Sequence, residues 1–373
     1  MRFSRWLVSL MGVLTVSLAL LVGLSSARSD APARSTATIK VGLITKTDTN
    51  PFFVKMKEGA QKQAKALGVT LLTAAGKIDG DAATQITAIE NMVSAGVKGI
   101  LITPSNDSVV PAIRKARAKG VLVIALDTPP NPASAVDALF ATNNFTAGVL
   151  IGKYAKVLFK GKTPKIAMLD LFPGPSVGYL RHNGFLSGFG VPGITQKDST
   201  KYKSSPQVVC SADTSGDQAK GQTAMETCLQ KSPDINLVYT INEPAAAGAY
   251  TALKNAGKAG KVTVVSVDGG CAGVRNVKAG VIAATSQQYP LKMASLGVAA
   301  VVNYAKTVFT SGPLAPYWLF MLGALFILVT LLLPKGIVGT FNSWWEPWKT
   351  RRLAPAAESA AREDGVSEPN PAE

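Results

Sequence analysis

The sequence predicts an α/β protein built from two Rossmann-like, doubly wound lobes, and three observations predict it. The chain has 373 residues, more than one hydrophobic core usually supports and enough for two. From Ile39 onward, short β-branched runs alternate with longer segments of helical period, the pattern of a parallel sheet with crossover helices. Gly68, Gly96, Gly120, Gly161 and Gly257 each follow one of those helical segments, where glycine accepts a left-handed cap without steric cost. At 47% hydrophobic and 17% charged residues, the composition is that of a folded chain.

The expected strands are residues 39–44, 69–73, 99–102, 121–126, 165–169, 237–240 and 262–267. Expected helices fall between them at 51–67, 82–95, 109–119, 145–159, 217–230 and 245–256, with a further one starting near Leu291. In open parallel sheets ligands bind outside the carboxyl ends of the strands. The loops that follow strands are therefore where functional side chains are sought.

The two ends read differently. Arg2 and Arg5 flank an apolar run from Trp6 to Leu24, and Ser25, Ser26 and Ala27 offer small residues for cleavage, so residues 1–27 are expected to be a signal peptide, with an uncleaved anchor as the alternative. Leu314 to Leu333 carries no charge and is long enough to span a bilayer as a helix. Tyr317, Trp318, Trp344, Trp345 and Trp348 bracket it, and Lys335, Lys349, Arg351 and Arg352 follow it, which puts the C-terminus in the cytoplasm. Residues 353–373 are rich in Ala, Pro and Glu and are expected to be disordered.

The formal net charge is +16, and residues 39–334 hold 30 Lys and Arg against 16 Asp and Glu. Lys55, Lys62, Lys65, Lys115 and Lys119 fall at helix-surface positions spread along the chain, with no motif that reads a nucleic-acid groove. A solvated basic surface is expected, and no nucleic-acid partner. Of the three cysteines, Cys210 ends an apolar run and Cys228 lies in the next expected helix. In an exported chain these two suit a local disulfide that leaves Cys271 over; three buried thiols are the alternative. With His182 the only histidine and no CxxC pair, neither a metal site nor another cofactor is expected.

Several strand-end loops carry groups suited to a small polyol. Asn50 follows the first strand and both donates and accepts, while Phe52 and Phe53 offer flat apolar faces. Asp127 ends the fourth strand in LDTP and Asp268 ends another in VDGG, each able to accept two hydroxyl bonds. Arg181 in RHNGF, Asn242 in INEP and Gln288 before Tyr289 add a guanidinium and two amides. Apolar walls with a few convergent polar groups make a small-molecule site. Singly, such residues also serve as helix caps or core.

The passages VGLITKTDTNPFFVKMKEGAQ, GVKGILITPSN, GVLVIALDTP, LRHNGF, INEPAAAGAY, VVSVDGG and ATSQQYP recur in this order in ribose-type periplasmic binding proteins, over roughly Thr38 to Ala300. The chain resembles that family, of the periplasmic binding protein-like I fold, and bacterial fructose-binding proteins in particular. The resemblance implies a first lobe of residues 39–142 and 289–306, a second of 143–288, and three hinge strands between them. It implies a monomeric periplasmic receptor that captures a monosaccharide by hinge closure and delivers it to the permease subunits of an ABC importer. Asn50, Phe52, Phe53, Asp127, Arg181, Asn242, Asp268 and Gln288 would then line the sugar site.

Thr103 stands where ribose-type proteins often have asparagine, and SADTSGDQ lacks their aromatic, departures that argue against ribose; the resemblance to fructose-binding proteins implies fructose first, then ribose or another simple sugar. The tail from VVNYAKTVFT into LGALFILVTLLLPKGIVG resembles the end of branched-chain amino acid or urea permease subunits, with a joint near 296–303. That implies a fused or membrane-tethered receptor. An amino-acid receptor is the alternative in keeping with the tail, but the loops carry the polyol set. A sugar-responsive repressor would need a helix-turn-helix where the signal peptide stands. No P-loop or HExxH is present, so no enzyme is expected.

Overall fold

The computed structural model describes residues 38–311. The expected signal peptide, the membrane span at 314–333 and the tail at 353–373 lie outside the described residues. Among those described, no helix is long and apolar enough to cross a membrane.

Two five-stranded parallel sheets organise the chain. The first contains β1 (Lys40–Thr45), β2 (Thr70–Ala75), β3 (Gly99–Ile102), β4 (Leu122–Leu126) and β5 (Ala138–Phe140), in the order β2-β1-β3-β4-β5. The second contains β6 (Ile166–Asp170), β7 (Val208–Asp213), β8 (Leu237–Thr240), β9 (Thr263–Asp268) and β10 (Ala284–Gln287), in the order β10-β9-β8-β6-β7. Read from β7, the second order repeats the first. Val41 pairs with both Leu71 and Gly99, and Ile166 with both Val208 and Leu237, so β1 and β6, the first strand of each sheet, are interior strands paired on both sides.

Helices cover both faces of each sheet, which is why the central strands are apolar throughout. On the first sheet α1 (Pro51–Ala66) and α9 (Pro290–Ser311) lie on one side, where Met56, Met293, Val298 and Val301 pack on Val41, Leu43, Leu101 and Ile124. On the other side α2 (Ala82–Ser94) and α3 (Val110–Ala118) bury Ile89, Met92 and Ile113 against Ile44, Ile100 and Ile102. The second sheet is covered by α4 (Asn144–Leu158) and α5 (Ser176–Phe189) on one face, and by α6 (Gln218–Lys231) and α7 (Glu243–Asn255) on the other. The short α8 (Cys271–Lys278) leads from β9 to β10.

Within the described residues the chain passes between the sheets twice, at 141–143 and at 288–289. The third hinge strand implied by the family resemblance falls outside them. Cys210 of β7 and Cys228 of α6 are joined by a disulfide, and Cys271 is free and exposed rather than buried. Lys55, Lys62, Lys65, Lys115 and Lys119 are exposed.

Five elements differ from the sequence expectation. Strands β5, β7 and β10 were not expected: β5 has three residues, and β7 (VVCSAD) and β10 (ATSQ) are edge strands with polar residues where a central strand is apolar. Helix α8 is only eight residues long. Helix α5 is missed for the opposite reason, since Val177 to Phe189 is buried almost all round and shows no polar face. Its Gly184 and Gly188 sit against the backbone of α4, while Gly148 and Gly152 of α4 sit against α5; a Cβ at any of the four would overlap the facing helix. Glycine here sets the closeness of two helices, whereas in sequence it reads as a breaker.

Candidate ligand-binding site

The carboxyl ends of both sheets face one polar cavity lined by Lys46, Asn50, Phe52, Phe53, Asp79, Asp127, Leu171, Val177, Arg181, Ile241, Asn242, Asp268 and Gln288. All eight residues chosen from the sequence are among them. Lys46 follows β1, Asp79 follows β2 and Asp127 follows β4; Leu171, Asn242, Asp268 and Gln288 stand at the ends of β6, β8, β9 and β10.

Asp127 and Asp268 hold equivalent places at the end of the fourth strand of their sheets, and both have positive φ, 63° and 143°. A non-glycine residue held there costs on the order of 1–3 kcal/mol, strain that concentrates at ligand sites. Arg181 stands between them: Nη2 lies 3.7 Å from Asp127 Oδ1 and Nη1 lies 3.7 Å from Asp268 Oδ1. Its own position is fixed by Nε donating to Asn144 Oδ1 at 2.8 Å and Nη1 donating to the Ile241 carbonyl at 3.1 Å. One guanidinium thus links the first sheet to the second.

The buried acceptors are not all satisfied. Asp127 Oδ2 accepts from Thr128 Oγ1 at 2.9 Å, while Oδ1 has no hydrogen-bond partner among the described residues. Gln288 donates through Nε2 to Asp268 Oδ1 at 2.7 Å, and its Oε1 is likewise without a partner among them. Buried acceptors left this way cost about 1–3 kcal/mol each, and a donor entering the cavity recovers that energy. Burial also pushes the Asp268 carboxyl up to about 7, against the pull of Arg181 and with help from nearby Glu243.

Other predicted residues combine structural and lining roles. Asn50 Oδ1 accepts the Phe52 N–H at 3.0 Å and caps α1, and Asn242 Oδ1 accepts the Ala245 N–H at 3.1 Å and caps α7. Phe52 and Phe53 meet edge to face at 5.2 Å; they belong to the first core and present a ring edge or face to the cavity as well.

Sequence reasoning missed Lys46 and Asp79. Lys46 is 2% exposed, with Nζ 3.5 Å from Asp79 Oδ1, and burial raises the Asp79 carboxyl despite that ammonium. A signal existed for Lys46: it directly follows an apolar strand in LITK, where a solvated lysine is out of place. Asp79 sits in a short loop among Lys77, Gly80 and Asp81 and carries no such mark.

Two parallel sheets of one strand order, meeting at a cavity with an aspartate from each, define a two-lobed ligand-binding protein. Residues 41–307 match the family model of the periplasmic binding protein domain, and the chain belongs to this family of binding proteins; it is not an enzyme. The match continues past the 296–303 joint expected from the tail. The chain is 32% identical to a ribose import binding protein of Haemophilus influenzae, over 75% of this chain and 88% of that one. It is 29% identical to a D-allose-binding periplasmic protein of Escherichia coli, over 73% and 86%. A periplasmic solute binding protein of an ABC transporter from Actinobacillus succinogenes, with bound D-allose, superimposes with a TM-score of 0.63 at 26% identity, covering 72% of this chain and 92% of the other.

Proposed function

We propose that this protein is the receptor of an ABC sugar importer and binds a neutral monosaccharide in the cavity between its two sheets. The observation that carries the reading is the paired strand-end aspartates, Asp127 and Asp268, bridged by Arg181 beside the Phe52 and Phe53 rings. Aspartates accept vicinal hydroxyls, Arg181 and Lys46 donate to ring or hydroxyl oxygens, and an aromatic face covers the C–H face of the sugar.

Ligand contacts from both sheets favour a closed arrangement, so the lobes of residues 39–142 with 289–306 and of 143–288 close about the passages between them. The names of the relatives favour ribose or allose over the fructose implied by the sequence motifs. The proposed compartment is the periplasm. Membrane attachment through 314–333 is tested separately by carbonate extraction of cells expressing the full chain.

Calorimetric titration of the purified protein with D-ribose, D-allose, D-fructose and leucine tests the reading. One sugar is expected to bind with micromolar Kd, with loss of at least tenfold in Asp127→Ala and in Asp268→Ala. Binding of leucine alone, or of none of the four, overturns it.

A further inference from the structure

Among the residues of the NEP and VDGG segments that do not line the cavity are Glu243, Gly269 and Gly270. They are tied to one another by hydrogen bonds. Glu243 is the first residue of α7, directly after Asn242, and its side chain is buried rather than directed to solvent. Its carboxylate reaches the amino end of α8, where the Gly270 N–H donates to both oxygens at 3.2 and 3.3 Å and the Gly273 N–H donates to Oε2 at 3.2 Å. Thr285 of β10 donates to Oε1 at 2.8 Å and itself accepts the Gly269 N–H at 3.1 Å. The Glu243 backbone N–H donates to Asp268 Oδ2 at 3.3 Å.

One residue therefore touches the three segments of the second sheet that supply Asn242, Asp268 and Gln288 to the cavity. Gly270 and Gly273 follow from it. A Cβ on Gly273 would fall inside the Glu243 carboxylate and one on Gly270 would lie 3.0 Å from Oε2, while Gly269 takes a positive φ and a Cβ there would lie 2.6 Å from the Gln287 Cα. A solvated glutamate at the start of a helix would need none of these accommodations. A buried carboxylate on amide donors at a helix amino end is both hydrogen-bonded and favourably placed in the helix field.

We propose that Glu243 is the positioning residue of the second sheet's half of the ligand site, fixing Asp268 in its strained backbone conformation and setting the charge it presents to the ligand. This rests on the sugar-receptor reading above. The groups that face Asp268 are Arg181 of α5, Tyr239 of β8, Gln288 after β10 and Glu243 itself, with Asp127 beyond Arg181. Burial raises the Asp268 carboxyl most, Arg181 pulls it down, and the Glu243 carboxylate adds to the rise, while the Glu243 backbone N–H donates to Asp268 Oδ2 at 3.3 Å.

The experiment is calorimetry of the full chain across pH 5 to 9, with the sugar that the wild type binds, on Glu243→Gln, Glu243→Ala, Gly273→Ala and the double variant Glu243→Ala with Gly273→Ala. Wild-type affinity is expected to rise with pH through about 7, as Asp268 ionises to accept hydroxyls. Glu243→Gln keeps the shape and removes the charge, so the midpoint is expected to move to lower pH and affinity at pH 5 to fall less than in the wild type. Gly273→Ala is expected to lose about tenfold in affinity by displacing the carboxylate, and to lose nothing further once Glu243 is Ala. A Glu243→Gln midpoint equal to the wild type, or a Gly273→Ala loss undiminished without the carboxylate, overturns the positioning role. A wild type that binds no sugar sinks the receptor reading instead.

Discussion

The two sheets share a strand order, and each must hold its strand-end loops together, yet they do so with different chemistry. In the first, the brace is Gln85 of α2, fully buried and uncharged: Nε2 donates to the Thr45 and Thr103 carbonyls at 3.1 and 2.9 Å, and Oε1 accepts the Ser105 N–H at 2.9 Å. In the second, the brace is the Glu243 carboxylate. An amide gives both donor and acceptor and does not titrate; a carboxylate only accepts, is costly to bury, and acts on every charge around it. The second half also holds the disulfide and the buried His182.

The sharpest way to break the comparison is to remove the neutral brace. Gln85→Leu leaves the Thr103 carbonyl and the Ser105 N–H buried without that partner, while the Thr45 carbonyl keeps the Gly76 N–H, and is expected to destabilise by about 2–4 kcal/mol with little dependence on pH. Urea unfolding at pH 6 and pH 8 measures both. Next in size is the disulfide. Cys210→Ser with Cys228→Ser opens a loop of 18 residues and is expected to cost about 3 kcal/mol, with lost amide protection confined to β6–β10 in hydrogen exchange.

The effects that remain are protonic. Asp268 binds its proton more tightly folded than unfolded, so its contribution to stability is greatest below the unfolded value and is lost as pH rises to about 7. Asp268→Asn removes that loss, and ligand-free protein at pH 8 is expected to gain about 1–2 kcal/mol while sugar binding weakens. Smallest is His182. Its Nδ1 meets Asp170 Oδ1 and its Nε2 meets the Lys203 carbonyl, both at 2.8 Å, so both nitrogens face acceptors, an arrangement that favours the protonated ring. Burial lowers its pKa but Asp170 and Lys203 outweigh this, leaving it raised. Its stabilisation is present below the ordinary histidine value of about 6.5 and lost as pH rises through the folded value. His182→Gln is therefore expected to flatten the decline in Tm on the alkaline side of neutrality.

The sequence was most legible where one local rule decides the outcome. Gly68, Gly96, Gly120, Gly161 and Gly257 all take positive φ, between 64° and 78°, after helices that end within a residue or two of expectation. Asp127 and Asp268 were visible because each interrupts an apolar strand at its end. What was hidden depends on partners distant in sequence. The buried α5 shows no amphipathic stripe, β10 earns its place only by pairing with β9, and the Lys46–Asp79 pair is made by loops of adjacent strands 33 residues apart. Glu243 resembles a routine helix-start glutamate until the amide groups of α8 are seen on it.

Cys271 opens α8 two residues beyond Gly269, is exposed, and is free because the other two cysteines are bonded to each other. Its helix starts directly after the Gly269–Gly270 segment that follows Asp268. A thiol-reactive fluorophore would attach there at a single position without disturbing the cavity side chains. The native sequence thus carries a handle for turning this protein into an optical reporter of its own ligand.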